Sequence, residues 1–216
     1  MVDILFIKTS SLGEVVHHMP AVTDARRHFP TAHIAWMVEE PFAPLAGLHP
    51  GVDAVIPVAS RRWRRQLLQW GTWREIAVFR RGLRSRPYDI VIDTQGLVRS
   101  GLLTFMARGR RHGYDRASIR EPLAAAFYNR RHSVGRDQHA IARNRALVGA
   151  ALGYVPQGAP DYGLARPPAD AARPYAVLLH GSAQAVKEWA LSYWVAVGTA
   201  LAAAGRGTRC GAHVGA

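Results

Sequence analysis

One cysteine, Cys210, is all that 216 residues contain, which excludes an intrachain disulfide framework and favours a reducing compartment. Lysine is nearly as scarce: of 28 basic residues the only lysines are Lys8 and Lys187. Acids are few as well, 15 against those 28, leaving a formal net charge of +13. No apolar run approaches the ~20 residues of a spanning helix. The N-terminal apolar run is too short, and too soon followed by a polar loop, for a signal peptide. Nothing around His132 and His139 has metal-ligand spacing, so both read as surface residues. These absences describe a cytoplasmic chain whose charge calls for an acidic partner: nucleic acid, an anionic membrane face or a phosphorylated substrate. The length suits one large or two small domains with ample core.

What is present begins at Asp3. Asp3 to Ile7 is a short β-branched apolar run that reads as a buried strand, and Lys8 to Gly13 is a polar turn rich in hydroxyls. From Glu14, the apolar residues Val15, Val16, Met19, Val22 and Ala25 recur at helical spacing. Strand, tight loop and helix start make the first βα unit of a doubly wound α/β sheet, whose loop attracts anions at the carboxyl end of the strand. A mere turn needs neither the lysine, the three hydroxyls nor the acid. In a chain so biased toward arginine, a retained lysine marks a place where a compact ammonium matters.

Further strands are expected at His33 to Val38, Asp53 to Val58 and Tyr88 to Thr94, and their alternation with helices implies a parallel sheet. Residues 61–86 carry nine arginines against one acid, Glu75, with Trp63, Trp70 and Trp73 interleaved; residues 108–145 add ten more. A charge run is commonly a solvated helix face, but so dense a single-sign field repels itself unless an anion binds, and two blocks far apart in sequence could then face one cleft. Asp93 either points into the ligand crevice or caps the next helix. Gly153 to Pro174, rich in Pro, Gly and Ala, reads as a linker. Tyr175 to Leu179 then opens a second strand, loop and helix, with Lys187 in the loop.

Ile7-Lys-Thr-Ser-Ser-Leu-Gly-Glu-Val-Val-His17, Arg61-Arg-Trp-Arg-Arg65, Tyr88-Asp-Ile-Val-Ile-Asp-Thr-Gln-Gly-Leu97, Arg120-Glu-Pro-Leu123 and Phe127-Tyr-Asn-Arg130 stand in one order. Together they resemble the lipopolysaccharide heptosyltransferase I family, within glycosyltransferase family 9, over roughly residues 3–204. The resemblance implies a GT-B architecture: an acceptor-binding Rossmann-like domain (1–155), a linker (156–174) and the start of a donor domain (175–216). It implies inverting transfer of L-glycero-D-manno-heptose from ADP-heptose to a Kdo residue of Kdo2-lipid A, without metal or other cofactor. The enzyme would be peripheral on the cytoplasmic face of the inner membrane, an anionic surface. By that resemblance the catalytic base falls on Glu14, where the family usually has Asp. The acceptor falls to Lys8, Arg61, Arg62, Arg64, Arg65 and Arg120, whose guanidinium forks suit carboxylates and phosphates. The donor falls to Ser10, Ser11, Gly13, Ser182 and Lys187, with Ala183 replacing a hydroxyl residue.

The family's later donor motif, Asp-Thr-Gly followed by His, has no counterpart here. The expectation is therefore a chain frameshifted or ended early after about Ala204, inactive alone, whose glycine-rich residues 205–216 form neither strand nor helix. Two other readings stand beside it. One is a non-catalytic remnant that binds acceptor; the other is a basic nucleic-acid-binding module, against which the serine-rich loop and the ligand-binding sheet both count.

Overall fold

A computed structural model describes residues 1–164, 175–179, 181 and 188–211, with residues 209–211 described by backbone alone. The chain forms two compact units, Met1–Leu164 and Ala165–Ala216. The first contains β1 (Asp3–Ile7), α1 (Leu12–His28), β2 (His33–Glu39), α2 (Ala43–Gly47), β3 (Ala54–Val58), α3 (Ser60–Arg65), α4 (Trp70–Ser85) and β4 (Ile90–Asp93). It continues with α5 (Val98–Met106), β5 (Arg110–Tyr114), β6 (Arg130–His132) and α6 (Ala140–Leu152). Short 3-10 turns cover Glu40–Phe42 and Pro122–Phe127.

The strands form one parallel sheet in the order β3-β2-β1-β4-β5-β6. The central strand is apolar throughout because both of its faces are covered. Alternation sends Ile4 and Phe6 to one face, with Val15, Met19 and Val22 of α1 and Leu147 and Val148 of α6. Leu5 and Ile7 point to the other, with Trp63 of α3, Leu83 of α4 and Leu103 of α5. Ile4, Leu5, Phe6 and Ile7 are all 0% exposed, so each contributes about 1.5–3 kcal/mol of burial. Helices on both faces make this a doubly wound sheet. The chain winds outward one way from β1 through β2 to β3 and the other way from β4 to β6. The switch point lies between β1 and β4, and ligands bind at its carboxyl edge.

Past α6 the chain stays on the first unit. Arg145, itself nearly buried, pairs with Asp24 of α1 through Nε at 2.6 Å and donates to the carbonyls of Gln157 and Gly158. The second unit has β7 (Tyr175–Leu179), α7 (Leu191–Ala203) and β8 (Gly207–Gly211), the two strands parallel with Tyr175 opposite Gly207 and Leu179 opposite Gly211.

β8 corrects the expectation that residues 205–216 form no strand. A parallel ladder bonds through backbone N–H and C=O groups, which Gly, Thr, Arg and Cys carry alike. Strand preference is set by neighbours more than by composition. With one βαβ unit to share, the apolar Val177, Leu179, Leu191 and Val195 remain more than half exposed. Among the described residues no helix is long and apolar enough to cross a membrane.

Candidate functional site

At the switch point the loops after β1 and β4 meet and bond to each other. Gln95 joins them: its Oε1 accepts from the backbone N–H of Thr9 at 3.2 Å and of Ser10 at 3.3 Å, and its Nε2 donates to Glu14 Oε2 at 2.6 Å. Lys8, 5% exposed, places Nζ 3.3 Å from the same Glu14 oxygen and 3.2 Å from the carbonyl of Thr94. Burial pushes the Lys8 ammonium down from its ordinary value, and the Glu14 carboxylate opposes that shift. Glu14 stands in the first turn of α1, its side chain one-third exposed. Both contacts fall on Oε2, no contact is made by Oε1 among the described residues, and Glu14 lines a cleft of about 140 Å³.

Lys8, Glu14, Gln95, Arg120 and Arg143 line that cleft, with Tyr114 and Asn144 behind them. Arg143 lies 4.9 Å from the Tyr114 ring centre and donates to the carbonyl of Ser118, while its buried Nε has no partner among the described residues. In such a cleft a carboxylate can take a proton from a hydroxyl while the neighbouring guanidinium groups hold an anion beside it.

The remaining predicted residues lie around this cleft or apart from it. Ser10 is buried and accepts from Arg99 at 3.1 Å; Ser11 is exposed and its carbonyl accepts the first helical bond, from Val15. Gly13 lies in the first turn of α1 with open space where a side chain would be. Arg61, Arg62, Arg64 and Arg65 sit on α3, which Glu39 fixes at the sheet edge by accepting from the Ser60 hydroxyl and the Arg61 N–H. They differ in freedom. Arg62 is engaged by Glu75 at 2.6 and 2.7 Å and by Glu40 at 3.5 Å, whereas Arg64 and Arg65 make no ion pair among the described residues. Arg120 belongs to the Glu14 cleft rather than to α3. Ser182, Ala183 and Lys187 lie outside the described residues.

A sequence profile of glycosyltransferase family 9 (heptosyltransferase) matches residues 76–210. Lipopolysaccharide heptosyltransferase 1 of Pseudomonas aeruginosa is 46% identical over 199 residues, covering 88% of this chain and 55% of that protein. This chain belongs to glycosyltransferase family 9. The Escherichia coli K12 heptosyltransferase 1 is 44% identical over 198 residues, 88% of this chain and 62% of its own length. E. coli heptosyltransferase WaaC, solved with ADP-2-deoxy-2-fluoro heptose, matches with a TM-score of 0.90 at 42% identity, over 97% of this chain and 68% of that one. The fold is GT-B, with one Rossmann-like unit and the opening of another. The family-9 chain spans little more than half the length of the curated relatives it matches. The profile runs to residue 210, past Ala204, where the sequence reading let the resemblance end.

Sequence reasoning left Asp93 of this family-9 chain two roles, and the structure gives it neither. It is fully buried, accepts from the N–H groups of Gln95 at 2.8 Å and Gly96 at 3.2 Å and from the Tyr128 hydroxyl at 2.8 Å, and lies outside the cleft lining. The N-cap of α5 is Leu97. Burial pushes the Asp93 carboxyl up from its ordinary value. Gln95, Arg99 and Arg143 were not singled out from sequence. Gln95 lay within the Tyr88 to Leu97 motif, but its pairing with Glu14 becomes visible only once the strand order places β4 beside β1. His132 is part-buried against His112 at 3.0 Å, so of the two histidines expected at the surface only His139 is exposed. Among the described residues no group of three or more His, Cys, Asp or Glu could hold a metal ion.

Proposed function

We propose that this chain carries the acceptor half, and the opening of the donor half, of an enzyme that transfers L-glycero-D-manno-heptose from ADP-heptose to a Kdo residue of Kdo2-lipid A. The observation that carries the reading is Glu14, held by Lys8 and Gln95 through one oxygen at the lining of a cleft that Arg120 and Arg143 share. Relatives named lipopolysaccharide heptosyltransferase 1, and a related structure solved with a fluorinated ADP-heptose, support the donor class.

In this reading Glu14 Oε1 takes the proton of the Kdo hydroxyl as its oxygen bonds to the anomeric carbon. The bond from that carbon to the diphosphate breaks on the opposite face and ADP leaves with the electron pair, inverting the centre. Arg120 and Arg143 hold the Kdo carboxylates, while Arg61, Arg64 and Arg65 meet the phosphates of lipid A. Lys8 steadies Glu14 rather than binding acceptor directly, and Arg62 braces α3 through Glu75. The donor falls to Ser10, Ser11, Gly13, Ser182 and Lys187, as the family resemblance implies. Side chains, not a metal or other cofactor, take the charge of the leaving diphosphate. The enzyme works as a peripheral protein on the cytoplasmic face of the inner membrane, where its acceptor is exposed, and needs no nucleic acid.

The test joins residues 1–174 to the donor domain of the E. coli relative and measures heptose transfer from ADP-heptose to Kdo2-lipid A. Transfer to Kdo2-lipid A, and none to lipid A lacking Kdo, is the expected result. A fused protein that binds ADP-heptose yet transfers to neither would contradict the reading.

A further inference from the structure

Helix α4 is apolar on two sides, and its packing accounts for one. Thr72, Ile76, Phe79 and Leu83, spaced at i, i+4, i+7 and i+11, turn toward the sheet, where Leu83 is buried and Ile76 and Phe79 pack against the core. The opposite side carries Trp70, Trp73 and Val78 at 87, 54 and 64% exposure. The loop before it adds Leu67 at 46% and Leu68 at 101%.

The loop is held in that form. Gln66, Gln69 and Thr72 each close a turn onto the carbonyl three residues back, and the Trp73 indole donates to the Leu67 carbonyl at 2.8 Å. Leu68 therefore stands at the tip of a built turn. Leu68, Trp70 and Trp73 enclose a shallow apolar hollow of about 330 Å³. Contiguous apolar surface of this kind marks a place where another phase or molecule docks.

The charge around it selects the occupant. By helical spacing Arg74 and Arg81 interleave with the exposed apolar side chains of α4, Arg80 lies beside Trp73 and Arg64 and Arg65 precede the loop; none of the five forms an ion pair among the described residues. The single acid of the segment, Glu75, is taken by Arg62. A spread of unpaired guanidinium groups around tryptophan and leucine matches a bilayer interface: phosphate headgroups outside, acyl chains beneath, indoles between.

We propose that the loop of residues 66–69 and the outer stripe of α4 form a wedge that inserts Leu68, Trp70 and Trp73 into the headgroup region of an anionic bilayer. The wedge deepens the peripheral membrane placement proposed above and rests on it. α3, which carries the acceptor-side arginines, leads straight into this loop, so the wedge would hold the Glu14 cleft close to the membrane surface from which a lipid-borne acceptor projects.

The experiment uses the whole chain and vesicles with neither Kdo nor lipid A, so its outcome is independent of heptose transfer. Mixed phosphatidylcholine–phosphatidylglycerol vesicles should bind the chain, pure phosphatidylcholine far more weakly. Leu68→Asp with Trp70→Asp should reduce binding to the mixed vesicles about a hundredfold, whereas Leu68→Ile with Trp70→Phe should retain it. Both positions are exposed, so circular dichroism and the melting temperature should match the parent. Lipids brominated in the acyl chains should quench the parent's tryptophan fluorescence, and Trp70→Phe with Trp73→Phe should abolish that quenching while the protein still binds.

Undiminished binding by the double Asp variant, or quenching that survives loss of both tryptophans, overturns the wedge and leaves the membrane placement standing. Failure of the parent to bind any vesicle overturns both. A parent that ignores vesicles but sediments as a dimer, broken by the Asp pair, would make the surface a protein interface instead.

Discussion

Gln95 holds the loop after β1 with one end of its amide and the proposed base with the other. Gln95→Leu keeps the volume and removes both functions. The Thr9 and Ser10 N–H groups would lose their acceptor, costing about 1–3 kcal/mol in urea unfolding of the chain. Glu14 would lose its orientation, and turnover of the fused enzyme should fall about 10- to 100-fold with little change in the Michaelis constant for acceptor. A raised Michaelis constant with turnover unchanged would show a binding role instead. Glu14, Lys8 and Arg120 were legible from the sequence because motif and charge mark them. Gln95 was not, since it lies 81 residues from Glu14 and meets it only because β4 pairs with β1. Lys8 was legible as an unusual lysine, while its partner, a carboxylate of its own chain, was not.

At the scale of elements, the edge of the site depends on how closely β5 lets its neighbour approach. Gly113 of β5 lies under the Tyr128 ring, where an added Cβ would come within 2.3 Å of it. That closeness lets the Tyr128 hydroxyl reach Asp93, whose carboxylate in turn accepts from the N–H groups of Gln95 and Gly96. Gly96 completes the turn at φ +69°, a conformation that other residues adopt at a cost. Gly113→Ala should push Tyr128 off the strand and destabilise the chain by about 1–3 kcal/mol in urea unfolding; Tyr128→Phe should cost about 1–3 kcal/mol by leaving a buried acceptor short of its donor. An unchanged unfolding midpoint in both would remove this link. Strands β1, β2, β3, β4 and β7 were readable from their apolar runs. The short β6, Arg130–His132, and β8, Gly207–Gly211, were not, because their residues carry no apolar pattern and pairing alone makes them strands.

Across the whole molecule, positive charge and buried histidine set the response to acid. Burial, then Lys8 and His49, holds the imidazole of His18 well below its ordinary value; burial, then His132 and nearby arginines, holds His112 at about 4. Both folded values lie below the unfolded one of 6.5, so the unfolded chain binds protons that the folded chain refuses. Their contribution is complete above pH 6.5 and is lost as pH falls from there toward about 4. The melting temperature should fall across that window, and His112→Asn should flatten the decline; a melting temperature indifferent to pH in that range would contradict the burial of these rings.

In the proposed reaction, transfer rests on one carboxylate, that of Glu14. Glu14→Gln preserves the shape of the side chain and removes its basicity. Its turnover in the fused enzyme, with acceptor binding measured in parallel, is therefore the most direct measurement. Turnover lower by about two to four powers of ten, with acceptor affinity nearly unchanged, is the predicted result. Near-normal turnover would contradict the account, and Asp93, fully buried outside the cleft, could not take the role over.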